Sequence, residues 1–173
     1  MFKKIDIKTT LISASIAAIL FCIPAFIYIY KADYTKSWLL YFGSFLFFIV
    51  MWVHTMHDSK KRGENESTVA LVFASHVTTI AGVILSTFFC FLILVALVPG
   101  YLDGGMADKI LTGEPANIIK DKTNGLSFEV FIAATIINFS VGSFTGIILP
   151  FYSKRNQVRD SREPTPLHQR GTK

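Results

Sequence analysis

No Asp, Glu, Lys or Arg lies deep within any of the four long apolar stretches that make up most of this chain. That absence argues against ion-coupled transport and proton pumping, which place ionisable or coordinating groups near the midplane of a membrane. Catalytic signatures are missing too: there is no GxSxG, no Walker loop and no GxGxxG. The chain therefore leans away from an enzyme. It has only two cysteines, Cys22 and Cys90, both in apolar stretches and without CxxC spacing. They read as small apolar packing residues, and a disulfide between them is not expected at that depth. No A-x-A-like cleavage site follows the first apolar run, where Pro24, Phe26, Tyr28 and Tyr30 stand instead, so this run reads as a retained helix and not a signal peptide.

Charge is scarce, at 17% of residues, while 51% are hydrophobic and 16 are Phe. A soluble domain carries about 25% charge, spread along every helix. Here the charge sits between the apolar runs, and the runs are apolar all round, without the polar face of a soluble bundle helix. Crossing a bilayer takes about 20 apolar residues as a helix. Thr10–Tyr30, Ser37–Met56, Val69–Val98 and Phe128–Tyr152 each meet that requirement, with Glu129 at the mouth of the last. The expected fold is all-α: a polytopic membrane protein with four transmembrane helices in an antiparallel up-down bundle. The helices are placed at 10–30, 37–57, 68–98 and 127–152, after an arm at 1–9. An outer loop spans 99–126, and a basic tail, 153–173, is expected to be disordered.

Twelve Lys and Arg fall in the N-terminal arm, the 58–67 loop and the tail, against five in the other two loops. The positive-inside rule then puts both termini in the cytoplasm, and the short loops suit a bacterial inner membrane. Lys60, Lys61, Arg62, Lys154 and Arg155 are placed to meet anionic lipid headgroups, worth ~1 kcal/mol per residue near the surface. Nothing in the tail points to nucleic acid. Tyr28, Tyr30, Tyr34, Trp38 and Tyr41 at one end, and Trp52 and Tyr152 at the other, read as interface belts. In the outer loop, Met106, Ile110, Leu111, Ile118 and Ile119 suit short interfacial helices or a cap packed over the bundle.

The clearest packing signal lies on the fourth helix. Ala134, Asn138, Gly142, Gly146 and Pro150 recur every fourth residue and share a face, and Gly142–Gly146 is a GxxxG. Small residues let helix backbones approach closely. A stripe of Ser75, Thr79, Gly82 and Ser86 on the third helix matches it. Packing within the bundle is the expected use; homo-oligomerisation or a membrane protein partner is the alternative.

One constellation could bind a cofactor. His54, His57 and Asp58 share a helix face, and His76 falls at a similar depth on the next helix. Such a set could hold Zn²⁺ or a related metal ion, or His54 and His76 could be axial ligands of a haem. Histidines at a helix end near the headgroups are also ordinary interface residues. Three functions follow as expectations. The first is a non-enzymatic subunit, scaffold or stabiliser of a membrane complex. The second is a metal- or haem-binding protein. The third is an oligomeric small-molecule carrier with Thr78, Thr79, Ser86 and Asn138 along its path.

Overall fold

The computed structural model describes residues 6–62, 67–113 and 121–160, and for Arg62 and 154–160 the backbone course alone. Among the described residues it is all helical, with no strand. Helix α1 spans Ile7–Lys31, a 3-10 turn Tyr34–Lys36, α2 Trp38–Arg62 and α3 Thr68–Leu97. The last span opens as α4, Leu126–Ile132, passes through a π-helical turn at Ala133–Ile137, and continues as α5, Asn138–Asp160. Among the described residues four helices, Ile7–Lys31, Tyr34–Lys61, Thr68–Leu97 and Leu126–Ser153, are long and apolar enough to cross a membrane.

Their ends are set by polar side chains that satisfy otherwise orphaned backbone donors. Asp6 caps α1, accepting from the Thr9 amide at 3.2 Å and the Thr9 hydroxyl at 2.7 Å. Ser67 caps α3 through the Ala70 amide at 3.2 Å. Ala32 stops α1 in the left-handed region, φ 49°, and Asp33 then caps the 3-10 turn through the Thr35 amide. The last helix differs from expectation. Helix α5 runs on to Asp160, past the expected end at 152, so Pro150 lies inside the helix. The rest of the tail, 161–173, is outside the described residues.

The helices pack in a cyclic order that is not their order in the chain. Helix α1 contacts α2 and α3 extensively, and α5 contacts the same two, while α2 and α3 touch each other only slightly. Close approach is built from small residues. A Cβ on Gly43 would stand 3.0 Å from the Phe21 carbonyl oxygen, so α1 and α2 are nearly in backbone contact there. Gly82 on α3 receives the ring of Phe47 and the end of Met51 from α2. Gly142 and Gly146 on α5 lie directly against Thr79 and Ser75 on α3.

The long connection between α3 and α4 folds back onto the bundle. Ala107 and Leu111 are buried in the core, while Met106 and Ile110 are exposed. Thr112 joins it to the first loop: the Tyr34 amide donates to the Thr112 carbonyl, and the Thr112 amide to the Ala32 carbonyl, both at 2.9 Å. The stretch is turns and bends among its described residues, with no interfacial helix there. Ile118 and Ile119 are outside the described residues. Asp121 organises the entry to α4, accepting from the Thr123 amide at 2.7 Å and the Gly125 amide at 3.0 Å, and from the Ser127 hydroxyl. Burial of this carboxyl works against its charge, but the Ser127, Thr123 and Gly125 donors prevail and hold it below the usual carboxylate range.

Candidate functional site

Two polar centres lie inside the bundle, one toward each end. The first is built on His54. Its position on α2 turns the ring between α1 and α3, where it is buried. Ser13 Oγ is 2.9 Å from Nδ1, and Thr78 Oγ1 is 3.1 Å from Nε2. Thr78 gives its own proton to the Ala74 carbonyl, so Nε2–H donates to Thr78 Oγ1 and Nδ1 accepts from the Ser13 hydroxyl. A second bridge lies beside it, between Thr55 on α2 and Ser75 on α3 at 2.9 Å. These bonds tie three helices at one level, where hydrocarbon offers no competing partners.

His57, Asp58 and His76 do not gather with His54 into one group around this ring. Among the described residues no group of three or more His, Cys, Asp and Glu is placed to hold a metal ion. His54 has both ring nitrogens engaged with hydroxyls, so a ligand would have to displace Ser13 or Thr78. His76 turns the other way: its Nδ1 is 2.9 Å from the Val72 carbonyl of its own helix, and it stands beside Gly146 of α5. His57 is exposed and shares with His54 only an open groove between α1 and α2. The reason is rotational. His54 points into the α1–α3 side of the bundle, and His76 into the α3–α5 seam. Asp58, half-buried at the end of α2, is one turn beyond His54.

The other polar centre lies toward the loops and escapes a reading of the sequence alone. Tyr28 on α1 is fully buried and donates its hydroxyl to Glu129 on α4. It is therefore a core residue and not part of an interface belt. Tyr30, Trp38 and Tyr41 are exposed. Beside Glu129 is a partly enclosed cavity of about 100 Å³, walled by Tyr34, Ser37 and Tyr41 on one side and by Phe128, Glu129 and Ala133 on the other. The π-helical turn begins at Ala133, immediately below. Such turns admit one extra residue and recur at functional positions in helices. The available signal was the lone carboxylate at the start of an apolar run.

Between the two centres lies Asn138. It is fully buried, and neither its amide nitrogen nor its oxygen has a hydrogen-bond partner among the described residues. Ser86, expected on the facing stripe, is also buried but bonds back to the Gly82 carbonyl of its own helix at 2.8 Å. Ala134 is buried in the same core. Cys22 and Cys90 are free thiols, buried, with Cys22 Sγ 3.9 Å from the Ser86 carbonyl. Of the basic residues, Lys60 and Lys61 are exposed at the end of α2, and Lys61 Nζ lies 3.5 Å from Asp6. The side chains of Arg62, Lys154 and Arg155 are outside the described residues.

No family model, curated protein or solved structure matches this chain.

Proposed function

We propose that this protein is a non-enzymatic subunit or stabiliser of a membrane complex, an antiparallel up-down bundle with both termini in the cytoplasm of a bacterial cell. The observation that carries this reading is the closure of the interior. Where α3 meets α5, a Cβ on Gly142 would lie 2.4 Å from Thr79 and one on Gly146 2.8 Å from Ser75. On the α2 side, Phe47 and Met51 fill the space over Gly82. Thr78, Thr79 and Ser86, three of the four residues a carrier would line its path with, are all fully buried and spend their hydroxyls on backbone carbonyls of α3. A filled interior moves the working surface to the outside.

On that outside, α2 offers a ridge of aromatic rings along its length. Tyr41, Phe42 and Phe45 are exposed; Phe45 stacks on Phe48 at 6.3 Å, and Phe48 meets Trp52 in a tilted pair at 5.6 Å. Packed aromatic rings give a large contact area that loses little side-chain freedom on docking. The occupant we assign to it is a transmembrane helix of a partner protein. Basic residues Lys60, Lys61, Arg62, Lys154 and Arg155 then hold the cytoplasmic end against anionic headgroups.

Site-specific photocrosslinking in native membranes tests the reading. A photoreactive residue at Phe45 should give one discrete protein adduct, and one at Ile84, on the exposed face of α3, should not. Lipid adducts alone at both positions would refute it. Orientation is read separately, by labelling cysteines introduced at Gly104 and Lys60 from outside intact cells. Only the first should react.

A further inference from the structure

We infer that the groove between α1 and α3 seats an acyl chain of one anionic phospholipid, with Lys31 and Lys109 holding the headgroup. The lipid belongs to the leaflet on the side of the α3–α4 connection. Three observations converge on that occupant. The first is the groove itself. Ile19, Ile23 and Ile27 of α1 and Phe89 and Ile93 of α3 line an open trough of about 430 Å³. That volume is in the range of built ligand pockets, roughly 300–1,000 Å³. Cys22 is its floor: a small, buried side chain with Sγ 3.9 Å from the Ser86 carbonyl. No side chain that lines it carries a charge or a hydroxyl.

The second observation is depth. The groove occupies the half of α1 and of α3 nearer the α3–α4 connection. From Ile19 to Ile27 the helix rises about 12 Å, at ~1.5 Å per residue. One leaflet of a ~30 Å hydrocarbon core is about 15 Å deep. The groove therefore runs along a single leaflet and ends near its surface. The third observation is the charge at that end. Tyr30 continues the stripe of Ile23 and Ile27 at helical spacing. Its exposed ring has the Lys109 ammonium 5.0 Å from its centroid and the Lys31 ammonium at 5.8 Å. Two cations gathered on one ring repel each other. Neither is in an ion pair with a described residue. Asp33, the nearest acid along the chain to Lys31, gives its Oδ1 to the Thr35 amide and hydroxyl instead. An anion set beside the ring relieves that repulsion. A partner helix would cover the apolar walls and leave the two lysines unanswered. A phospholipid supplies chain and anion in one molecule, in the order the groove presents them.

The groove shares no residue with the aromatic ridge of α2, so this inference and the proposed function can fail separately. The test is native mass spectrometry of the full chain, released from nanodiscs of phosphatidylglycerol and phosphatidylcholine in equal parts. A single phosphatidylglycerol per chain should stay bound at collision energies that strip the other lipids. Lys31→Gln/Lys109→Gln should lower its retention by roughly tenfold or more. Ile23→Trp, which fills the trough from an exposed position and leaves both charges in place, should displace it as well. Lys60→Gln/Lys61→Gln, at the opposite end of the bundle, should not. All these positions lie outside the packed core, so melting followed by circular dichroism should match wild type. Equal retention of the two lipids, retention unchanged in either groove variant, or an equal loss in the Lys60/Lys61 control overturns the inference. So does a stable dimer that Ile23→Trp breaks, because a second copy of the chain would then fill the groove.

Discussion

Gly142→Ala should destabilise the bundle, even though alanine is the better helix former. A Cβ at this position meets Thr79 Cγ2 at 2.4 Å and Oγ1 at 2.7 Å, about 1 Å short of an ordinary van der Waals contact. Thr79 cannot swing aside cheaply. Its hydroxyl donates to the Ser75 carbonyl at 3.0 Å, and it is fully buried. The helices must separate instead, and overpacking of this kind costs up to about 3 kcal/mol. Replacing glycine in a helix returns at most ~1 kcal/mol. The net loss is then about 2 kcal/mol, or a factor of roughly 30 in the folded population. Reversible unfolding in mixed micelles, followed by circular dichroism, measures it. The diagnostic is a double-mutant cycle. Thr79→Ala removes both clashing atoms, so Gly142→Ala should cost little in its presence, with a coupling of about 1–2 kcal/mol. Gly104→Ala, where nothing lies within 4 Å, is the neutral control. If Gly142→Ala alone left stability unchanged, or if the two changes were simply additive, the close approach of α3 and α5 would be wrong.

Other expectations follow from the same contacts. His54→Ala should cost about 1–3 kcal/mol, because it strips a buried ring from Ser13 and Thr78; a chelator should leave the wild-type melting point unchanged, and a lowered one would restore the metal reading. Asn138→Leu should stabilise the fold by about 1–2 kcal/mol, since it relieves a buried amide with no partner of its desolvation; a loss of stability in chemical denaturation would mean that the amide is satisfied. Asp121→Asn should remove an acid-sensitive component of stability. The carboxyl is held below its ordinary value in the fold, so its contribution is complete above ~4 and fades as pH falls through the lower, folded value. A wild-type melting profile flat between pH 5 and 2.5, or a variant profile equally steep, would contradict that.

How much was readable from sequence depends on the length of the pattern involved. Uncharged runs of helical length specify spanning helices almost alone, because hydrocarbon leaves the backbone no other partner. The small-residue stripes were readable at similar range: Gly142 and Gly146 meet Thr79 and Ser75, as four-residue spacing on both helices allows. Gly43, the only glycine of α2, carries the same kind of information about Phe21, but without a four-residue partner it forms no stripe. What depends on rotation between helices was not readable. A shared face placed His54 with His57 and Asp58, and a shared depth added His76. Depth says nothing about which seam a side chain turns to, and the two rings face different ones. Tyr28 shows the same limit. At a helix end it resembles a belt residue, and only the position of Glu129, about a hundred residues away along the chain, makes it a core hydrogen-bond donor.

The cyclic order of the helices follows from those same polar contacts. A short connection between α2 and α3 would by itself favour side-by-side neighbours. Instead α1 takes the place between them, and α5 closes the opposite side. His54 accounts for the first half of this arrangement. It can satisfy Ser13 and Thr78 together only if α1 and α3 flank one face of α2, and a side-by-side hairpin would leave one ring nitrogen in hydrocarbon. Glycines account for the second half. Gly142 and Gly146 let α5 approach α3 more closely than side chains would allow, which draws it away from α1. Dispersion alone discriminates weakly between helix neighbours, since lipid tails are as apolar as the helices. A few hydrogen bonds and a few missing side chains therefore choose the topology, and altering His54 should loosen the placement of α1 before it unfolds any helix. Hydrogen exchange in lipid can see that order. Faster exchange confined to α1 in His54→Ala supports the argument, and uniform loosening of all four spans refutes it.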